Sequence, residues 1–263
     1  MQTSEAIANL ERVTKTPLLE LLGKAFNEAG FELALVGGPV RDAFLGRVAP
    51  DIDLTTNATP DEILKVIKGH VDTHWEIGKE FGTIGCRIGD DQIEITTYRT
   101  DKYDPESRKP EVKFGTDLKE DLLRRDFTVN AMALTLPARE FVDPFGGLRD
   151  LVDQVIKTPG KPEDSFGDDP LRMLRAARFS SQLGFEIEPE TFEAMQAMKD
   201  RLEIISAERI QAELQKLVLG ANPRKGLEAL VDSKLADIVL PELPALNLET
   251  NEHHNHKDAY QTP

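Results

Sequence analysis

The chain has 263 residues, a formal net charge of −15 and one cysteine. That length supports a sizeable core and one to two domains, and no uninterrupted apolar run approaches the ~20 residues a membrane helix requires. The lone Cys86 excludes an intramolecular disulfide and a Cys-rich zinc site; with Met1 to Glu5 lacking signal-peptide character, a reducing, cytoplasmic location is expected.

In chain order, residues 16–29 read as an amphipathic helix ending at Gly30. Short strands are expected at 31–36, 52–55, 71–75, 83–88 and 93–98, with helices at 39–45 and 60–68 between them. The second of these helices starts at Thr59-Pro60-Asp61-Glu62, a cap followed by an early proline. Residues 101–116 lack periodicity and read as a long mobile loop. After Pro159 helices dominate, at 169–183, 189–199, 206–219 and 223–233. The expected class is therefore α+β: a head over 1–158 with a small mixed sheet, an all-α region over 159–245, and a disordered tail over 246–263.

Three blocks carry chemistry. The first is Leu35-Val36-Gly37-Gly38-Pro39-Val40-Arg41-Asp42, followed by Asp51-Ile52-Asp53. A buried strand runs into a glycine pair that turns tightly, and the next helix opens with exposed N–H groups suited to an anion. Asp51 and Asp53 alternate along a strand and point the same way, as a two-metal phosphoryl-transfer site needs. Glu94, in an alternating strand, either completes a carboxylate trio or accepts a proton.

The second block is Arg124-Arg125-Asp126-Phe127-Thr128-Val129-Asn130. Arg125 can reach triphosphate oxygens, and Asp126 or Asn130 can bond a ribose 2′-hydroxyl; Asp126 can also cap a following helix. The third is Asp168-Asp169-Pro170-Leu171-Arg172, continuing through Arg175 and Arg178. The carboxylates are expected at a helix start, where the macrodipole favours them, and the arginines recur every three residues as a basic stripe. Asp169 and Arg172 pair an acceptor with a planar donor fork, which can read a base edge. The acidic balance means that any RNA contact must come from such a local basic face.

Together these blocks resemble the class II tRNA nucleotidyltransferases (CCA-adding enzymes) and bacterial poly(A) polymerases. Asp143-Pro144-Phe145-Gly146-Gly147-Leu148-Arg149-Asp150-Leu151 is similar to that family's head–neck hinge, and Ile205-Ser206-Ala207-Glu208-Arg209-Ile210 to its neck helix. The resemblance implies a polymerase-β-like nucleotidyltransferase head followed by a helical neck and body. It implies that Asp51 and Asp53 bind two Mg²⁺ ions and that Gly38, Arg41, Arg125, Asp169, Arg172, Arg175 and Arg178 hold CTP or ATP, with tRNA as acceptor. Asp126 belongs to the ribose-recognition motif it implies. In longer relatives a His-Asp phosphohydrolase domain follows a segment like Glu252 to Tyr260. Here Thr262 stands where that pattern has a metal-binding histidine, so His253, His254 and His256 are not read as a metal site and the chain is expected to lack that domain.

The leading functional expectation is template-independent addition of CMP and AMP to the tRNA 3′ end. Poly(A) or A-only addition is the runner-up within the class; a nucleotide-binding remnant without turnover is the alternative outside it. A metal-dependent phosphohydrolase would require ligands that the tail lacks. Oligomeric state is not legible.

Overall fold

A computed structural model describes residues 3–49, 51–99 and 114–245. The expected loop over 101–116, save its last three residues, and the expected tail over 246–263 lie outside them. The described chain divides into two compact units, one formed by residues 1–153 with 157–160, the other by 154–156 with the residues from 161 onward.

The first unit runs α1 (Thr3–Thr14), α2 (Pro17–Glu28), β1 (Leu33–Val36), α3 (Gly38–Phe44), β2 (Asp51–Thr56), α4 (Pro60–Ile67), β3 (Thr73–Trp75), β4 (Thr83–Ile88), β5 (Asp91–Thr97), α5 (Leu118–Leu123), β6 (Ala133–Leu136), β7 (Phe141–Val142) and α6 (Gly147–Asp153). Its seven strands form one mixed sheet in the order β3-β4-β5-β2-β1-β6-β7, so β2 lies at the centre. All neighbours are antiparallel except β2 and β5, which are parallel. The parallel register sets Asp53 beside Glu94 and Thr55 beside Thr96.

Helix starts follow their residues. Thr16 caps α2 by accepting from Leu19 N, and Glu62 reaches back to the Thr59 N–H at 2.8 Å ahead of α4. Side chains alternate across the sheet. One face carries Leu33, Leu35, Leu54, Ile93 and Ile95, all buried. On the other, Ala34 and Val36 form an apolar cluster with Leu122 of α5, Ala131 and Ala133. That cluster fixes α5 on the same face as Asp53, Thr55 and Glu94.

The second unit contains β8 (Val155–Ile156), α7 (Pro162–Asp168), α8 (Leu171–Leu183), β9 (Glu186–Ile187), α9 (Pro189–Met198), α10 (Ala207–Val218), α11 (Pro223–Asp232) and the short α12 (Ala236–Val239) and α13 (Glu242–Ala245). Parallel pairing of β8 with β9 is its one sheet among the described residues. Helix α8 is the core element, burying Leu171, Met173, Leu174, Ala176, Ala177 and Phe179. Ala177 and Ser181 abut Gly226 of α11 so closely that a Cβ there would overlap them.

Two local expectations are corrected. No helix follows Asp126: the chain makes a single 3₁₀ turn over Thr128–Asn130 and enters β6. Asp168 does not open a helix; it ends α7, Asp169 follows as that helix's C-cap, and Pro170 precedes Leu171. The sequence reading also passed over α1, α5, α6, α7, α12 and α13 and the strands β6 to β9.

Candidate active site

The first unit brings the first two sequence blocks together. At the end of β1, Gly37 adopts φ 71° and ψ −137°, a conformation open in practice only to glycine. A Cβ built there would lie 3.1 Å from Arg125 Nη1 and 3.8 Å from Asp53 Oδ2. The turn is thus a contact surface: Arg125 and Asp53 close over bare backbone. Gly38 then opens α3, and a Cβ on it would meet Arg41 Nη2 at 3.6 Å.

Asp51, Asp53 and Glu94 share one sheet face. Asp51 and Glu94 are exposed, and Asp53 is half-buried. Burial raises the Asp53 carboxyl above its usual pKa; Arg125 opposes this, while the like charges of Glu94 and Asp51 add to it. Among the described residues, no group of three or more His, Cys, Asp or Glu side chains is gathered tightly enough to hold a metal ion as it stands. The donor chemistry nonetheless fits a hard divalent cation: the groups are carboxylate oxygens, and their mutual repulsion raises the pKa of the central one.

The arginines are held by acids. Arg41 donates from Nε to Asp42 Oδ1 at 2.9 Å and from Nη1 to Asn130 Oδ1 at 2.8 Å. Asn130 Nδ2 donates to Asp126 Oδ1 at 3.0 Å, and the Phe127 N–H donates to that oxygen at 2.8 Å. Asp126, Asn130 and Arg41 therefore form one chain of hydrogen bonds linking the ribose candidate to α3. Thr128 Oγ1 donates to Asp150 Oδ2 at 2.6 Å, and a Cβ on Gly147 would collide with Thr128 O, so α6 lies directly against this turn. Asp150 is raised by burial, with the Thr128 bond opposing.

Sequence reasoning missed Asp121, the fully buried carboxylate of α5. Its Oδ1 accepts from Arg124 Nε and Nη2 at 3.0 and 2.8 Å; its Oδ2 accepts from Arg125 Nη2 at 3.2 Å. The available signal was its spacing, three and four residues before two arginines on a helix.

The third block lies in the second unit. Asp169 accepts from Arg209 Nη2 of α10 at 3.0 Å, and its Oδ1 also accepts from Leu171 N at 3.2 Å. Arg172 Nη1 donates to Ser165 Oγ at 2.8 Å. In this arrangement the two side chains are therefore each engaged with a different neighbour. Arg172 and Arg175 are half-buried, but Arg178 is only 8% exposed. It faces Glu213 of α10 at 3.2 Å and stacks 4.3 Å from the Phe179 ring centre. The expected stripe is not uniform: its last arginine is part of the packing between α8 and α10.

Comparison with known proteins follows this division. Residues 33–157 match the family described as Poly A polymerase head domain, and residues 184–246 match the one described as Probable RNA and SrmB-binding site of polymerase A. The CCA-adding enzyme of Bacillus subtilis (strain 168) is 44% identical over 218 residues, covering 82% of this chain and 53% of that enzyme. That of Enterococcus faecalis (strain ATCC 700802 / V583) is 41% identical over 240 residues, covering 86% and 58%. Among solved structures, the Bacillus stearothermophilus CCA-adding enzyme in complex with CTP aligns with TM-score 0.77 and 34% identity, over 88% of this chain and 56% of that one. The Thermotoga maritima CCA-adding enzyme complexed with tRNA_CCA aligns with TM-score 0.75 and 31% identity, over 90% and 56%. The chain spans about half the length of the curated relatives it matches. It belongs to the family of the CCA-adding enzymes and bacterial poly(A) polymerases, and its first unit is that family's polymerase-β-like head.

Proposed function

We propose that this chain transfers CMP and AMP from CTP and ATP to the 3′ end of tRNA. The observation that carries the reading is the meeting of Asp53 and Arg125 over the Gly37 turn, with Asp51 and Glu94 on the same sheet face. An acidic sheet face beside a glycine turn that opens a helix suits a nucleoside triphosphate with its cations and suits few other ligands.

In this reading Asp51 and Asp53 hold two Mg²⁺ ions, which when bound lower the pKa of the attacking 3′-hydroxyl and offset charge on the departing pyrophosphate. The α3 N-terminus and Gly38 receive phosphate oxygens on backbone N–H groups, and Arg125 and Arg41 clamp them from the side. Glu94 stands beside Asp53 to orient a cation or accept the hydroxyl proton. Asp126, held by Asn130, takes the ribose 2′-hydroxyl, a hydrogen bond that a deoxynucleotide forfeits. In the second unit, Asp169 and Arg172 read the amino group and ring acceptor shared by C and A, with Arg175 contributing charge. Arg178 acts by holding α8 in place.

The test is a tRNA transcript ending before its CCA, incubated with CTP, ATP or both and sequenced at its 3′ end. Ordered CCA supports the proposal. Growth by A alone assigns A-adding or poly(A) activity instead, and binding of nucleotide without extension refutes transfer.

A further inference from the structure

Arg125 reaches two places at once. Its Nη2 donates to Asp121, while its Nη1 lies over the Gly37 turn. A guanidinium is planar, so fixing one nitrogen fixes where the other points. Asp121 is itself fixed from three further directions. Arg124 takes its Oδ1 with two nitrogens, the Arg99 N–H donates to the same oxygen at 3.3 Å, and Thr55 Oγ1 approaches Oδ2 at 3.4 Å. Thr55 is two residues beyond Asp53 on the same face of β2. The buried carboxylate therefore ties the arginine block to the strand that bears the acidic pocket.

We propose that Asp121 is a positioning residue for nucleotide binding: by holding Arg125 Nη2 it sets Nη1 over the Gly37 turn, where a triphosphate oxygen is clamped. This rests on the reading of the site as a nucleoside triphosphate pocket. Asp121 touches no substrate; its effect on the nucleotide passes through Arg125, whereas its bonds to Arg124, the Arg99 N–H and Thr55 hold Asp121 itself in place. Burial favours its neutral form, but Arg125 and Arg124 outweigh burial and keep it ionised, which suits an acceptor for two cations.

The experiment is a double-mutant cycle on the full chain, read as binding of CTP with Mg²⁺ by calorimetry. Asp121→Asn and Arg125→Gln should each weaken CTP by about ten- to a hundredfold, the usual range for loss of a supporting partner. The double variant should be no weaker than Arg125→Gln. Losses that multiply overturn the positioning role. If circular dichroism shows Asp121→Asn unfolded, Arg125→Lys decides: it keeps the charge but has no second nitrogen for Asp121 to hold, so it should bind CTP as poorly as Arg125→Gln. Wild-type affinity in Arg125→Lys overturns the proposal. A wild-type chain that binds no CTP overturns the site reading itself, and this inference with it.

Discussion

Replacing Gly37 with alanine separates backbone strain from site geometry. At φ 71° and ψ −137° an L side chain is forced into a sparsely populated region, at about 1–3 kcal/mol. The new Cβ also stands 3.1 Å from Arg125 Nη1, closer than ordinary contact, so the guanidinium must retreat by a few tenths of an ångström. For a chain of this size, strain of that magnitude lowers the melting temperature by about 2–12 °C. Retreat of Arg125 weakens one charge-assisted hydrogen bond, worth roughly 1.5–3 kcal/mol, or about ten- to a hundredfold in CTP affinity. Gly38→Ala is the internal control. Gly38 opens α3 with its nearest neighbour at 3.6 Å, so the melting temperature of that variant should stay level or rise slightly. Thermal melts and CTP titrations on both variants check this. Equal melting temperatures and affinities for wild type and Gly37→Ala would refute the argument, as would an equal fall in melting temperature from both glycine variants.

Asp53→Asn should reduce nucleotide addition by a factor of a thousand or more, the equivalent of several kcal/mol of lost cation-borne stabilisation. Asp53 has a raised folded pKa, so its stabilising contribution is full below the unfolded value of 3.8 and is lost as pH rises through the folded one. Asp53→Asn should therefore raise the melting temperature of the metal-free protein at pH 7 and flatten its dependence in the mildly acidic range, read by melts in chelator. Asp126→Ala should increase use of deoxynucleotides about five- to tenfold relative to ribonucleotides, measured by competitive incorporation; an unchanged ratio would assign Asp126 to holding the Phe127 N–H and Asn130. Glu213→Ala, which removes one ion partner of the buried Arg178, should destabilise the second unit by about 3–5 kcal/mol in denaturant melts. Arg178→Met with Glu213→Leu should recover most of that loss.

The glycine turn, the paired aspartates and the strands around them were legible because each has a local cause. Gly37 must turn, Asp51 and Asp53 alternate on a strand, and Thr59-Pro60 opens a helix. What escaped depends on tertiary context. β6 lies inside the sheet with Ala133 and Leu134 buried, so it shows no alternation to read. Asp168 and Asp169 look like first-turn acids because Pro170 follows; only the preceding α7, itself weakly patterned, reveals one as a helix end and the other as its cap. Arg178 reads as one of three equivalent arginines until Glu213, thirty-five residues later in number, is found across from it. Asp121 is buried only by its place in the folded unit, which no local pattern announces.

The acids that hold Arg41 and Arg125 give the pocket an unusual electrical character. Arg41 is opposed at short range by Asp42, and Arg125 shares Asp121 with Arg124, within a chain of net charge −15. A bare basic patch projects a field over a Debye length and draws phosphate from a distance, so its association rate falls steeply with ionic strength. Here the paired guanidiniums lie beside the carboxylates of Asp51, Asp53 and Glu94, so they draw no phosphate from a distance and act only on what is already in contact. Nucleotide capture here should accordingly be governed by free divalent cation rather than by monovalent salt. Nucleotide affinity measured across a salt gradient at fixed Mg²⁺ should stay nearly level.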